Sequence, residues 1–596
     1  MCIMPDYKLI PYGISDFVQL RRENKYYVDK TMYLPKMELA GNFLYLIRPR
    51  RFGKSLFLSM MRYYYDIGEK DSFNELFGDL WIGRNATELH NSFLVLYLDF
   101  SQIGGTAETL EENLGRYFCS VLDAFASRYE QYFWDGFADE VKAKHTFREK
   151  FDWTMINARR CSLRTYLVVD EYDNFTNTVL NLRGEAVYHA ITHAEGFYRD
   201  LFKQFKPNFD RIFMMGVSPV TMDDVTSGYN IATSLTLDPA FNMMLGLSET
   251  EVREMIRYYS EAGAIDEDED ALIAQMKPWY DGYCFSRKSL QTDPKMYNTD
   301  MVSYYLMNYI SSGCPPEDML DRNTATDYSK LDRLIRLDRL DGDRRSVILE
   351  IAENGFTMGT VQASFPAHKL IEPEMFRSLL YYYGMLTIVG TRGMNTVLGI
   401  PNNNVRRQYY DYLVVEYDKI HHIDMSRLSQ AFDSAALDGE WRPMMEYICR
   451  QYTETTAVRS LIEGERNLQG FMTAYFSLNP YFLTNPEVEL NHGYCDFFLM
   501  PDFNRCSETA HSYIIELKYI KIGTSDDAAQ EVWDKAVEQI RSYSSGDKVR
   551  LLSHGTKLHL IVVIIKGHEL YFMGEVDGKK FHILPLKTHE NGDLGE

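Results

Sequence analysis

The first half of the chain carries short, nearly unbroken apolar runs. They are Phe43–Ile47, Phe93–Leu98, Tyr166–Val169 and Ile212–Val217, with helix-period segments between them. Strands covered on both faces read this way, so the pattern predicts a parallel sheet flanked by helices. Polar residues follow each run, and ligands of such sheets gather at the carboxyl ends of the strands. Beyond residue 245 the pattern turns helical. Glu249 to Ala262 is amphipathic, with Ser248 as N-cap and Gly263 just past its end. A second helix is expected over Glu267 to Lys277, stopped by Pro278, with a break at Tyr280–Phe285 turning on Gly282. From about 345 to 420 come helices and then a hairpin, Met385–Val389 and Val397–Pro401 around Arg392-Gly393, which suggests a winged-helix unit. Asp424 to Tyr452 reads as helical. Strands are expected at Gly493–Leu499, Ser512–Tyr519 and Lys557–Ile565, with a helix burying Val532, Ala536 and Ile540 between the last two.

The first apolar run leads into Arg48-Pro49-Arg50-Arg51-Phe52-Gly53-Lys54-Ser55, and a helical pattern starts at once. Strand, loop and helix with Gly-Lys-Ser at the helix start is the layout of a phosphate-binding loop. Backbone N–H groups and the helix N-terminus face phosphates, the lysine adds a point charge, and the serine hydroxyl reaches Mg²⁺. Arg48 stands where that motif has its first glycine, and Arg48, Arg50 and Arg51 are expected near nucleotide phosphates rather than near DNA. The third run ends in Asp170-Glu171-Tyr172-Asp173. Asp170 is the expected Mg²⁺ carboxylate and Glu171 the group that polarises an attacking water. Ser218, after the fourth run, either senses the γ-phosphate or caps the turn before Pro219.

Several of these stretches resemble the AAA-ATPase-like family of bacterial proteins. The matching residues are Pro11–Phe17, Tyr27–Thr31, Arg48–Ser55, Asp170–Asp173, Gly216–Pro219, Asp223–Asn230, Tyr280–Phe285 and Tyr297-Asn298. In that family arginine commonly replaces the first loop glycine. The resemblance implies ATP as ligand, a helical lid over the nucleotide, and a C-terminal nuclease-like domain.

The C-terminal residues bear on that last expectation. Glu516 and Lys518 alternate with Ile515 and Leu517 along one predicted strand, so they project from the same side. Asp496 on a neighbouring strand completes two carboxylates and a lysine. Carboxylates are hard oxygen ligands for Mg²⁺, the metal acidifies a bound water, and the lysine orients it. The set resembles the PD-(D/E)XK nuclease core, with Asp496, Glu516 and Lys518 as the D…E-x-K residues. Glu465 and Glu489 compete for a further carboxylate role, and Gln539 and Tyr543 are expected to share a helix face.

The net charge of −22 over 596 residues argues against a surface made to coat nucleic acid, but leaves room for a local phosphate-binding cleft. The scattered Cys include no C-x-x-C pair, which speaks against zinc and for reduced thiols in a cytoplasmic setting. No signal peptide or membrane span is read. The expected fold class is α/β: a P-loop ATPase sheet (1–245), a helical lid (246–344), a winged-helix-like unit (345–425) and a PD-(D/E)XK nuclease-like domain with its helical linker (426–596). The expected activity is ATP binding and hydrolysis joined to Mg²⁺-dependent cutting of nucleic acid, DNA more than RNA, in defence or mobile-element biology. A homo-oligomer is compatible with this reading. The alternative is a nucleotide switch whose C-terminal domain binds nucleic acid or protein without cutting.

Overall fold

The computed structural model describes residues 7–103, 109–174, 197–220, 232–292, 295–316, 318–321, 343–366, 369–370, 372–420, 423–454, 465–490, 493–503, 505–544, 546–576 and 580–582. The chain forms two compact units. The first comprises Met1–Pro315, Met319–Val347 and Phe356–Val405, and the second Pro316–Asp318, Ile348–Gly355 and Arg406–Glu596.

The first unit is built on a five-stranded parallel sheet of β1 (Phe43–Ile47), β2 (Leu94–Asp99), β3 (Thr165–Asp170), β4 (Arg211–Gly216) and β5 (Thr233–Ser234), in the order β2-β3-β4-β1-β5. Every residue of β3 is buried, which is why its sequence does not alternate. Asp99 lies opposite Asp170, and Ile47 opposite Gly216, so the carboxyl ends of these strands are level. The helix Lys54–Tyr65 follows β1 and buries Phe57, Leu58, Met61, Tyr64 and Tyr65 in a core shared with Leu44, Leu46, Tyr166, Val168 and Phe213.

The helices Glu249–Glu261, Glu269–Tyr280 and Thr299–Ser312 have their own core, including Val252, Ile256, Tyr259, Leu272, Met276 and Tyr305. Ser248 and Glu251 form a capping box at the first, as the Ser-x-x-Glu pattern favours. Pro278 does not stop the second helix, which runs on to Tyr280. The following Asp281 N–H still reaches the Lys277 carbonyl, so the last turn closes although the proline itself has no N–H. The expected hairpin is β7 (Thr387–Arg392) with β8 (Asn395–Gly399), extended to a three-stranded sheet by β6 (Phe356–Gly359). Asp223–Asn230 lie outside the described residues.

The second unit carries a mixed sheet of β9 (Phe482–Leu490), β10 (Gly493–Pro501), β11 (His511–Ile520), β12 (Lys557–Lys566), β13 (Glu569–Glu575) and β14 (Lys580–His582), adjacent in reverse chain order. Only β11 and β12 run parallel, and the helix Asp526–Ser544 lies between them in sequence, as a crossover requires. Ala529, Trp533, Ala536 and Ile540 of that helix pack with Phe498, Ile514, Val562 and Ile564, while Val532 is only partly buried. The edge strand β9 tolerates Pro486, opposite Phe497.

Candidate functional site

The loop after β1 is shaped by two left-handed residues, Arg51 (φ 68°) and Gly53 (φ 83°). Glycine adopts this backbone freely, arginine does not, so Arg51 is held by partners. Its guanidinium pairs with Asp300 at 2.9 Å, and its carbonyl accepts from the Asp300 N–H at 3.3 Å. Phe52 is buried edge-on against Tyr283 and Phe285. Pro49 lies close to Gly384, where a β-carbon would come within 2.9 Å of it. Arg50 is half-buried, and its charge reaches both Glu171 and Lys54.

The Arg48 side chain does not face the loop mouth. It is fully buried, donates to the carbonyls of Ile47, Thr236 and Phe241 at 2.8–2.9 Å, and lies 4.2 Å from the ring centroid of Phe285. Burial pushes this guanidinium down to about 10. As a phosphate-binding side chain it is therefore corrected: Arg48 contributes its backbone to the loop and its charge to the core. The loop uses Arg48 through its carbonyl, which with that of Pro49 accepts from Lys54 Nζ at 3.2 and 2.8 Å.

Lys54 opens the helix and is buried. Burial brings its ammonium down to about 8, with Glu171 and Asp170 pulling the other way. Asp170 is buried at the end of β3 and is raised by burial, partly offset by the Ser55 hydroxyl and Lys54. Tyr97 donates to its Oδ2 at 3.3 Å, and the Glu171 N–H to its Oδ1 at 2.9 Å. Glu171 has φ 49° and is also raised, first by burial. The structure thus brings Lys54, Ser55, Asp170 and Glu171 together. Ser55, Asp170 and Glu171 border a polar cavity of about 280 Å³ that Asp16, Ser59, Arg62 and Asp99 also line, and Lys54 is not part of its lining.

The rest of Asp170-Glu171-Tyr172-Asp173 is scaffold. Asp173 accepts from the N–H groups of Val217 and Ser218, and Tyr172 donates to the Ser218 carbonyl. A β-carbon on Gly216 would come within 2.4 Å of both side chains, so only glycine fits there. Ser218 is buried, and its Oγ accepts from the Val220 N–H at 3.3 Å. This is the turn-capping arrangement.

In the second unit β10 and β11 place Asp496, Glu516 and Lys518 together. Lys518 Nζ is 2.7 Å from Glu516 Oε1 and 3.8 Å from Asp496 Oδ2. Glu516 is buried (1% exposed), whereas Lys518 is more open, so both faces of β11 are covered rather than one. Asp496 is oriented from two sides: Gln469 Nε2 donates to its Oδ1 at 2.9 Å, and the Leu517 N–H to its Oδ2 at 2.7 Å. Gln469 escaped the sequence reading, which searched for carboxylates. Its signal was position: it stands one turn beyond Glu465 on the helix Glu465–Ser477. The side chains of Glu465, Glu489 and Tyr543 lie outside the described residues. Gln539 is half-buried on the crossover helix.

Both sites offer hard oxygen donors suited to Mg²⁺: Ser55 with Asp170, and Asp496 with Glu516. Among the described residues no three His, Cys, Asp or Glu side chains cluster as a metal cage, so water would complete either shell. Mg²⁺ usually keeps several waters, which fits so few protein ligands.

Comparison with known proteins agrees with this division. Residues 11–226 match a family described as predicted AAA-ATPase, and residues 463–575 match the PD-(D/E)XK nuclease superfamily. An uncharacterized protein in the vnfD 5'region of Azotobacter chroococcum mcd 1 is 25% identical over 297 residues, covering 46% of this chain and 48% of that protein. The chain thus spans about half the length of that curated relative. The chain carries an AAA-ATPase-like region followed by a PD-(D/E)XK nuclease-like region.

Proposed function

We propose that this chain binds and hydrolyses MgATP in its first unit and cuts a nucleic-acid phosphodiester in its second. The observation that carries the reading is the meeting of Lys518 with two carboxylates, Asp496 and Glu516, in a chain that also assembles Lys54, Ser55, Asp170 and Glu171. Lys54 would exchange its two loop carbonyls for phosphate oxygens. Asp170 and Ser55 would hold Mg²⁺, which neutralises phosphate charge, and Glu171 would orient the water.

In the second unit Asp496 and Glu516 would hold Mg²⁺, and Lys518 would orient the attacking water. DNA is the favoured substrate and a bacterial cytoplasm the favoured setting, in defence or mobile-element biology. No helix among the described residues is long and apolar enough to cross a membrane. The deciding experiment is a cleavage assay on DNA and RNA, single- and double-stranded, with Mg²⁺ or Mn²⁺, with and without ATP. Metal-dependent products support the reading, and their absence under every condition sinks it.

One observation favours the alternative, a nucleotide switch that does not cut. Both Asp496 oxygens already accept hydrogen bonds, and Lys518 stands against both carboxylates. Under that reading the same assay yields no products, while the second unit still binds nucleic acid or protein.

A further inference from the structure

Tyr97 takes no step in the proposed ATP chemistry, yet its place on β2 is specific. β2 and β3 pair in register, with Tyr97 beside Val168 and Asp99 beside Asp170. Alternation along the strands puts Tyr97, Asp99 and Asp170 on one face of the sheet. To meet Asp170, the Tyr97 side chain must reach two residues toward the carboxyl end, roughly 6–7 Å. A serine or threonine hydroxyl is too short for that span, whereas a phenol at the tip of a ring covers it. Tyr97 Oη donates to Asp170 Oδ2 at 3.3 Å.

The ring that carries this hydroxyl is held on both sides. It packs against the core of the first unit, and the Arg62 guanidinium lies 5.5 Å from its centroid, within cation–π reach. Arg62 stands on the helix Lys54–Tyr65, which also carries Ser55. Tyr97, Arg62, Ser55, Asp170 and Glu171 all line the same polar cavity.

Asp170 is therefore gripped at both oxygens. Oδ1 accepts from the Glu171 N–H at 2.9 Å and Oδ2 from Tyr97. Each carboxylate oxygen has about two acceptor sites, so one hydrogen bond on each leaves room for a cation. Glu171 is left-handed at φ 49°, a backbone that a residue other than glycine keeps only when its surroundings fix it. Its N–H on Asp170 is part of that fixing, so the orientation of Asp170 and the placing of Glu171 are linked. The neighbouring Asp99 cannot replace Tyr97 as donor. An ionised carboxylate only accepts, and the Asp99 oxygens already take the Ser101 N–H at 2.9 Å and Gln102 Nε2 at 3.0 Å.

We propose that Tyr97 is a positioning residue of the nucleotide site, whose hydroxyl locks the Asp170 carboxylate in the orientation that receives Mg²⁺. The inference rests on the reading of Asp170 as the Mg²⁺ carboxylate of an ATP site. Tyr97 acts through Asp170 and touches neither nucleotide nor metal. Loss of an orienting partner of this kind typically costs about 10–100-fold in metal affinity or activity.

Tyr97→Phe removes the hydroxyl alone and keeps the ring, its packing and its contact with Arg62. Calorimetry on the full-length protein with a non-hydrolysable ATP analogue, in Mg²⁺ and in excess EDTA, reads the effect without turnover. In wild type, Mg²⁺ should tighten binding. In Tyr97→Phe the affinity in EDTA should match wild type, and the tightening by Mg²⁺ should shrink about tenfold. In ATP turnover the half-saturating Mg²⁺ concentration should rise by a similar factor. Asp170→Ala supplies the decisive background, in which Tyr97→Phe should change nothing further. The inference alone is overturned, with the ATP reading left standing, by any of three results: full Mg²⁺ tightening in Tyr97→Phe, an equal fall of its affinity in Mg²⁺ and in EDTA, or a separate loss on top of Asp170→Ala. Wild-type binding that is indifferent to Mg²⁺ overturns the metal role of Asp170 itself, and this inference with it.

Discussion

The Arg48 guanidinium lies 4.2 Å from the Phe285 ring centroid, buried where a phosphate-binding loop of the ordinary pattern has glycine. It joins β1 to Thr236 and Phe241 through backbone carbonyls. Replacing it with the glycine of the common motif should therefore damage the fold before it damages the site. Arg48→Gly should lose about 3–5 kcal/mol of stability, because buried carbonyls lose charged donors and a large side chain leaves a void. Urea unfolding measures this. ATP affinity, measured by calorimetry well below the transition, should change only a few-fold. A stable variant with abolished ATP binding would return Arg48 to the phosphates.

Lys54 gives a proton signature. Burial lowers its value to about 8, so the free protein loses this charge as pH rises through that value. Bound phosphates favour the charged form and raise it again. ATP binding above about pH 8 should therefore take up a proton, and affinity should fall as pH rises. Calorimetry in buffers of different ionisation enthalpy reads the uptake directly. Lys54→Ala should bind ATP far more weakly and show no uptake from this group.

Glu171 and Asp170 should separate binding from hydrolysis. Glu171→Gln keeps the shape but removes the group proposed to polarise water, so turnover should fall by about 10²–10⁴-fold while ATP still binds. Asp170→Ala should lose Mg²⁺-dependent hydrolysis and retain some nucleotide binding. Single-turnover hydrolysis beside equilibrium binding distinguishes them. Equal loss of affinity in both variants would point to a collapsed loop instead.

The sequence made some of this legible and hid the rest for physical reasons. The strand–loop–helix around Lys54 and the order of the β10, β11 and β12 strands follow from local apolar runs, which one segment displays by itself. The destination of Arg48 is not local: its partners Thr236, Phe241 and Phe285 come together only when the sheet and the segment after it fold. β9 was missed because an edge strand carrying Pro486 lacks an unbroken apolar pattern. Pro278 misled because a proline one turn from a helix end can be tolerated, and only the closed backbone shows it.

Lys518, Asp496 and Glu516 make the last prediction, together with Gln469. The two carboxylates are the proposed metal ligands, so Asp496→Ala and Glu516→Ala should abolish cleavage and weaken Mn²⁺ binding. Glu516 is buried, and Glu516→Gln is the safer form of that test because it keeps the volume. Lys518→Ala should also abolish cleavage yet retain the metal, since it removes only the group proposed to orient water. Gln469 touches no substrate in this reading; it holds Asp496 at 2.9 Å from the helix Glu465–Ser477. Loss of such an orienting partner typically lowers metal affinity or activity about 10–100-fold, so Gln469→Ala should be impaired rather than dead. Raising Mn²⁺ should restore part of its rate, and Gln469→Glu should not behave as wild type because its carboxylate cannot donate to Asp496. Cleavage rates against Mn²⁺ concentration read all of these. Variants at all four positions as active as wild type would mean that the charged strand is structural and that any cutting happens elsewhere.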